Sequence, residues 1–318
     1  MFPIKEVLGG DVSKWQDNNA TPEMMDMKIA HDNGIKFIFI KATQGFAKDP
    51  DFYDNWSNAK KAGIPRGAYH FADKSYGTAK QQAENFWNTI SFDEGELPPV
   101  LDFEARENIG LSFIKYFLEY IDERSKHTPI LYTGQSYWDD LMGSSDATWV
   151  LQYPLWMSYP DVSLQSPVRG IPASLMDEPE LPNTWENYEV PALFWQFTWV
   201  GDGMFYGAES KGFDLNVFNG TQTDFDIKYL NGGTEPPNNG AGEDKYVRTL
   251  PIMSSDHLRF RTTPLLYPGD TLAVGRGVVM KLVEPDKIPM DGINWWHVEL
   301  DNRDGFVSAG SRWTERYP

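Results

Sequence analysis

Residues 98–105 read PPVLDFEA, and the fold follows from how this stretch is understood. Val100 and Leu101 make an apolar lead, after which Asp102, Phe103 and Glu104 alternate acid, aromatic, acid. A short apolar run of this kind is a buried strand, yet ionised side chains almost never lie inside a protein without compensation. A strand that ends in two acids therefore delivers them to an opening. Side chains two apart on a strand share a face, about 6.6 Å apart along it. Asp102 and Glu104 project together, and Phe103 projects the other way.

The same kind of run recurs on both sides. KFIFIKAT (36–43), GAYHFA (67–72), PILYTG (129–134), PLWMSY (154–159) and ALFWQFT (192–198) all read as buried strands. A short opening strand at Val7–Val12 and FDLNVF (213–218) bring the count to eight. Amphipathic segments fill the gaps between the early strands. In TAKQQAENFWNTI (78–90), Ala79, Ala83, Phe86, Trp87 and Ile90 fall on one helical face, and GLSFIKYFLEYIDERS (110–125) is a second helix. Strand–helix alternation around buried parallel strands predicts an α/β fold, and eight strands predict a TIM-like (β/α) barrel. Residues 160–191 hold six prolines and little periodicity, so they read as a surface insertion. The last strands are expected to follow each other with little or no helix.

NGGTEPPNNGAGEDK (231–245) has Ala241 as its one apolar residue and cannot contribute to a core. It divides the chain into a barrel over 1–230, a linker over 231–245 and a tail over 246–318. The tail alternates short β-like runs with Pro, Gly and Asp turns, the pattern of a small all-β barrel. Charge follows the same division. Residues 245–318 hold ten Lys/Arg against nine Asp/Glu, a net of +1, while the preceding residues carry −19 of the total −18. An acidic main body argues against nucleic acid as partner, because phosphate binding needs clustered cations. Hydrophobic residues make up 41% of the chain and aromatics 14%, enough for a large core. No run approaches the ~18 apolar residues of a membrane span, and MFPIKEVLGGDVSKWQ at the start lacks the apolar stretch of a signal peptide. The absence of cysteine excludes disulfides, thiolate nucleophiles and Cys-ligated zinc.

Barrel enzymes carry their chemistry at the C-terminal ends of the strands. Asp11 ends the first strand and Asp214 lies in the last, so four carboxylates are expected to converge with Asp102 and Glu104. Such a cluster raises at least one pKa by like-charge repulsion and desolvation, as cleavage of a glycosidic bond requires. An isolated Asp-x-Glu is more often a solvated surface pair, and an oxygen cluster also suits Mg²⁺ or Ca²⁺. His70 is the one strand-end histidine, so a transition-metal hydrolase is not expected. His70 alternates away from Tyr69 and Phe71 and reads as a satisfied core residue.

Several motifs together resemble the lysozymes of glycoside hydrolase family 25. They are GGDVSKWQ (9–16), FIFIKATQG (37–45), GIPRGAYHF (63–71), PPVLDFE (98–104), LYTG (131–134), LWMSY (155–159), FWQFT (194–198) and FDLNVF (213–218). The resemblance implies an irregular eight-stranded barrel and a muramidase that cuts the β-1,4 bond after N-acetylmuramic acid. It places the family's Asp-x-Glu on Asp102 and Glu104, with Glu104 as general acid, and its two further aspartates on Asp11 and Asp214. Gln44 departs from the pattern, since members often carry Glu there. Two mechanisms remain open: direct attack by Asp102, or attack by the substrate's own acetamido oxygen with Asp102 or Asp214 stabilising it. The assisted route is favoured. Tyr69, Phe71, Tyr132, Trp156 and Trp195 lie near strand ends and are expected to bind sugar, against the alternative of ordinary barrel packing, and Lys41 is expected to neutralise a neighbouring carboxylate or hold a sugar substituent. No cofactor and no metal are expected. The expected partner is bacterial peptidoglycan, with no nucleic acid or membrane, and the expected state is a monomer acting at the cell wall after secretion or phage release.

LRFRTTP (258–264) and WWHVELDNRDGFVSAG (295–310) resemble a bacterial SH3-like module, which implies wall binding. Two other readings are a wall-binding protein whose barrel has lost activity and a glycosidase acting on another amino-sugar polymer such as chitin.

Overall fold

Apolar runs pair edge to edge into β1 (Val7–Val12), β2 (Phe37–Gln44), the two-residue β3 (Ala47–Lys48), β4 (Arg66–Phe71), β5 (Val100–Phe103), β6 (Ile130–Gly134), β7 (Leu155–Ser158), β8 (Phe194–Asp202) and β9 (Gly212–Phe218). Their order is β1-β9-β8-β7-β6-β5-β4-β2-β3, and a further β1–β2 pairing closes eight of them into a barrel. The computed structural model describes residues 4–17, 24–73, 77–104, 109–142 and 147–230, together with the strands between residues 246 and 317. It divides the chain into two units, Met1–Ala147 with Tyr153–Thr234, and Thr148–Gln152 with Glu235–Pro318.

From β1 through β2 and round to β8 the barrel strands pair in parallel. β9 is the exception: it runs antiparallel to both β8 and β1. The last two strands follow each other with no helix between them, as expected, and their direction has a reason of length. Only residues 203–211 join β8 to β9, whereas a parallel crossover needs roughly a dozen residues or more.

Helices α1 (Met27–Asp32), α2 (Phe52–Ala62), α3 (Ala79–Ile90), α4 (Leu111–Asp122), α5 (Gln135–Met142), α6 (Asn183–Asn187) and α7 (Gln222–Phe225) complete the first unit. Thr78 starts α3 through a capping box with Gln81, and the helix buries Ala83, Phe86 and Ile90. α4 buries Ile114, Phe117, Leu118 and Ile121. Both follow the apolar stripes of the sequence. The proline-rich 160–191 stretch lies between β7 and β8 and contains α6.

The barrel is filled, not hollow. Phe37, Phe39, Val100, Ile130, Trp156, Phe194 and Phe218 belong to one buried cluster. Phe39 stacks on Trp156 with ring centroids 4.4 Å apart, and Phe37 meets Phe194 at 5.1 Å. Two glycines make room for these rings. A Cβ on Gly9 would lie 2.3 Å from the Phe37 ring, and one on Gly67 would lie 2.6 Å from the Phe39 ring. Each such aromatic contributes about 1.5–3 kcal/mol by leaving water.

Arg66, at the start of β4, is fully buried away from the strand ends that carry the acids. It pairs with Asp93 at 3.2 Å and Glu96 at 3.1 Å, donates to the Trp56 carbonyl at 3.0 Å and packs on the Trp56 ring. Here a buried charge is fully answered, so it serves the fold. The acids at the opposite ends of the strands are not.

The second unit contains β10 (Tyr246–Thr249), β11 (Leu258–Arg261), β12 (Thr271–Val274), β13 (Val279–Leu282), β14 (Ile288–Met290), β15 (Ile293–Leu300), β16 (Arg303–Ser308) and β17 (Thr314–Tyr317). These pair antiparallel in the order β12-β11-β16-β15-β13-β10-β17, with β14 on β15. The described elements of the tail are strands, and the linker assigned to 231–245 lies outside the described residues. Among the described residues no helix is long and apolar enough to cross a membrane.

Candidate active site

A cleft of about 660 Å³ opens at the ends of the parallel strands. Asp11 from β1, Asp102 and Glu104 from the end of β5, and Asp214 from β9 all line it, as do Lys41, Tyr69, Phe71, Tyr132 and Trp156. Phe103 is buried on the other side of β5, as the alternation requires.

Asp11 and Asp214 are direct partners in the β1/β9 register, and their carboxyls are hydrogen-bonded to each other. Asp11 Oδ2 also accepts from Gln196 Nε2 at 2.9 Å and from Asn216 Nδ2 at 2.8 Å. Burial pushes Asp11 up to about 6, with the two amide bonds pulling against it and the Glu104 charge adding to it. Burial, Asp11 and Glu104 together hold Asp214 well above the usual carboxylate range. Two acids this close titrate as a pair, not independently.

Asp102 is raised well above its ordinary value by burial and then by Glu104, with Lys41 opposing. Its Oδ1 is buried and has no hydrogen-bond partner among the described residues. Glu104 is raised by burial, with Lys41 and the Tyr132 hydroxyl opposing. A carboxyl kept protonated near neutral pH can donate to a leaving group, and this cleft raises the pKa of all four.

Lys41 is the counter-charge. Its Nζ donates to Gln44 Oε1 at 2.8 Å and lies 4.7 Å from the centre of the Phe71 ring. Burial lowers its pKa, against the pull of Asp102. Gln44 in turn donates to Asp73 at 3.2 Å. Because position 44 is a neutral amide, it does not neutralise Lys41, whose charge acts on Asp102, Asp49 and Glu104. A register shift between Lys41 and Thr43 reverses the facing of β2. Thr43 consequently bonds His70 Nδ1 at 2.7 Å on the side away from the cleft. There His70 Nε2 meets Gln82 Oε1 at 2.9 Å, and the ring stacks on Phe117. Gln82 spends its amide protons on the Asp73 and Gly77 carbonyls, so His70 donates from Nε2 and accepts from Thr43. Burial lowers its pKa to about 4. It is a neutral core residue.

Two expected sugar contacts are placed differently. Trp195 does not line the cleft: it is fully buried and donates from Nε1 to the Tyr159 carbonyl at 2.7 Å. Its neighbours Phe194 and Gln196 face the barrel interior and cleft, so period-two alternation turns Trp195 outward. Trp156 reaches the cleft but is almost wholly buried, with Phe39 on one face and Tyr132 at 4.6 Å. Its Nε1 donates to Asn216 Oδ1 at 2.8 Å. The exposed rings at the cleft are Trp15, 69% exposed, and Trp199, 54% exposed. Neither was singled out in the sequence, although Trp15 lies only four residues beyond Asp11. Gln196 and Asn216 were also missed; their signal was an amide within an otherwise apolar strand. No group of three or more His, Asp or Glu side chains suited to a metal ion occurs among the described residues.

The family model described as Glycosyl hydrolases family 25 matches residues 10–202, and the chain belongs to that family. Lysozyme M1 of Streptomyces globisporus is 31% identical over 229 residues, covering 68% of each chain. The N,O-diacetylmuramidase of Chalaropsis is 31% identical over 161 residues, 44% of this chain and 72% of the relative. An uncharacterized Escherichia coli protein, YegX, is 34% identical over 160 residues; the match spans 48% of this chain and 56% of that relative. Among solved structures, a bacterial lysozyme from Streptomyces coelicolor superposes with a TM-score of 0.55 at 26% identity, covering 71% of this chain and 98% of that one. A family 25 glycosyl hydrolase from Bacillus anthracis gives 0.52 at 26% identity, covering 71% and 94%.

Proposed function

We propose that this protein is a peptidoglycan hydrolase, a lysozyme that cleaves the β-1,4 bond between N-acetylmuramic acid and N-acetylglucosamine. The observation that carries the reading is the pair Asp102 and Glu104, both raised in pKa and both lining one open cleft. The named relatives support it. In this reading Glu104 enters protonated and donates to the glycosidic oxygen as the bond to the anomeric carbon breaks. The 2-acetamido oxygen of the same sugar closes on that carbon. The unpartnered Asp102 Oδ1 accepts the acetamido N–H, which directs the oxygen and stabilises the developing positive charge. Glu104, now ionised, takes a proton from the water that opens the intermediate, and configuration is retained. Asp11 and Asp214 keep a single negative charge facing the oxocarbenium-like centre. Residues 1–230 act as the catalytic barrel, 231–245 as a linker and 246–318 as an SH3-like wall-binding module. A near-neutral module suits docking on anionic walls that repel an acidic barrel.

The test is a digest of purified peptidoglycan, reduced with borohydride and analysed by mass spectrometry. Muramic acid recovered as its alditol is the expected result. Glucosaminitol as the main product would replace the muramidase reading with a glucosaminidase, and no new reducing ends would leave only wall binding.

A further inference from the structure

Asp11 is held by a belt of buried side chains drawn from four other strands, β6 to β9. Its Oδ2 takes two amide N–H groups, from Asn216 on β9 at 2.8 Å and from Gln196 on β8 at 2.9 Å. Each amide meets a donor at its far end. The Trp156 indole N–H can only donate, so Asn216 presents its oxygen there, at 2.8 Å, and its N–H to Asp11. The Tyr132 hydroxyl donates to Gln196 Oε1 at 2.9 Å, and Ser158 Oγ, 3.1 Å from the phenol oxygen, can donate to that oxygen in turn. Turning Gln196 round would set its oxygen against Asp11 Oδ2. A proton placed between them would then share that oxygen with the Asn216 N–H. Two donors on one oxygen favour the charged carboxylate. The two amides accordingly oppose the rise of Asp11, whereas the influences on Asp214, its partner in the β1/β9 register, all raise it.

We propose that Gln196 and Asn216 are positioning residues that make Asp11 the ionised member of the Asp11–Asp214 pair and leave the pair's proton on Asp214, with Tyr132 and Trp156 holding the two amides the right way round. The use of that charge in catalysis rests on the hydrolase reading, but the placement of the proton can be read without substrate. The pair is thereby asymmetric: β1 supplies the negative charge and β9 a neutral acid that can donate a hydrogen bond. The other titratable groups lining the cleft with Asp11 are Lys41 on β2, Tyr69 on β4, Asp102 and Glu104 at the end of β5, Tyr132 on β6, Asp214 on β9, and Tyr137 and Tyr159 at the rim. Of these the donor variants change only Tyr132, whose burial keeps the phenol neutral throughout the range titrated.

The experiment is a carbon NMR titration of the full-length protein labelled at the aspartate side-chain carboxyl, with Asp11→Asn and Asp214→Asn identifying the two resonances. Over the lower of the pair's two steps the Asp11 carbon should carry most of the shift, while the Asp214 carbon keeps the position of a protonated acid. Most of the shift on Asp214, or an even split, overturns the proposal. Gln196→Met and Asn216→Leu each remove one donor, so each should raise the Asp11 midpoint by about half a pH unit or more, the scale of one hydrogen bond. Tyr132→Phe frees Gln196 to turn and should also raise the midpoint, yet add nothing in a Gln196→Met background. If Asn216→Leu does not fold, the Gln196 and Tyr132 variants carry the same test. A midpoint unchanged or lowered by an amide variant, or moved further by Tyr132→Phe on top of Gln196→Met, overturns the proposal. The acid limb of the activity profile should rise with the midpoint, and a limb that stays in place overturns the positioning role. The expected NMR shifts in a protein that releases no reducing ends from peptidoglycan would reject the hydrolase reading and support the placement of the proton.

Discussion

Asp11 and Asp214 face each other across the antiparallel β1/β9 ladder, with their carboxyls in hydrogen-bond contact. Like charges directly opposite in a sheet repel, and here Asp11 is buried and Asp214 half-buried. The fold accepts this cost at the cleft and nowhere else along the β1/β9 register, where the remaining pairs are Val7–Phe218, Leu8–Val217, Gly9–Asn216 and Gly10–Leu215.

Replacing Asp11 should therefore stabilise the protein while impairing it. The Asp11 pKa rises from 3.8 to about 6 on folding. A raised carboxyl contributes stability that is complete below the unfolded value and is lost as pH climbs through the folded one. The loss is about 3 kcal/mol across that window. Asp11→Asn keeps an oxygen for Gln196 and Asn216 and avoids the charge. Urea denaturation at pH 4 and pH 7 should show the variant gaining on wild type by roughly that amount as pH rises. Parallel stability curves would contradict the raised pKa.

Glu104→Gln retains shape and hydrogen-bonding reach but has no proton to transfer. Release of reducing ends from peptidoglycan should drop by at least ~10²-fold, the usual scale of general acid catalysis. Wild-type clearance by the variant would remove Glu104 from the mechanism.

Trp15 and Trp199 line the cleft as exposed rings, with Lys14 Nζ 4.8 Å from the centre of the Trp15 ring. Trp15→Ala and Trp199→Ala should each raise KM by roughly 3–10-fold, the worth of one stacking contact, with kcat little changed. Because both rings are exposed, thermal melting should shift by less than for a core residue. A matching change at Trp195→Phe, in KM and not in melting temperature, would show that the outward ring had been misassigned.

His70 makes a second pH signature, opposite in sign to that of Asp11. Its depressed value, about 4, means that its contribution is complete above the unfolded 6.5 and disappears as pH falls through 4. Thr43→Val leaves Nδ1 without its donor and should cost about 1–3 kcal/mol. Activity per folded molecule should be retained. His70 ring resonances in wild type should not titrate between pH 8 and pH 5; movement in that range would show that the ring is not sealed.

Most of the barrel was legible because buried strands leave continuous apolar runs and the helices between them leave stripes. Strand direction was not. FDLNVF reads the same whether it runs parallel or antiparallel, and only the short 203–211 connection decides. The four acids were legible as carboxylates that interrupt or end apolar runs. The aromatic contacts were harder, because register shifts defeat simple alternation. β8 shifts between Gln196 and Thr198 and again between Thr198 and Gly201, so counting by twos from Gln196 does not predict how Trp199 faces. Gln196 and Asn216 were invisible for another reason: an amide in a strand carries no mark of what it will bond until the barrel closes around it.

The antiparallel β9 gives the cleft a wall unlike its others. Apart from the short β2–β3 turn, the rim is made elsewhere by segments that lead from a strand to a helix, so lengthening one changes how that helix returns to the barrel. Residues 203–211 instead turn straight back, and they are tied down where Asp26 donates to Gly207 and Glu209 donates to Gln16. This makes the turn the natural place for the enzyme's reach along a glycan to diverge. A longer hairpin here would extend one side of the groove while leaving barrel closure and the Asp11–Asp214 pair in register.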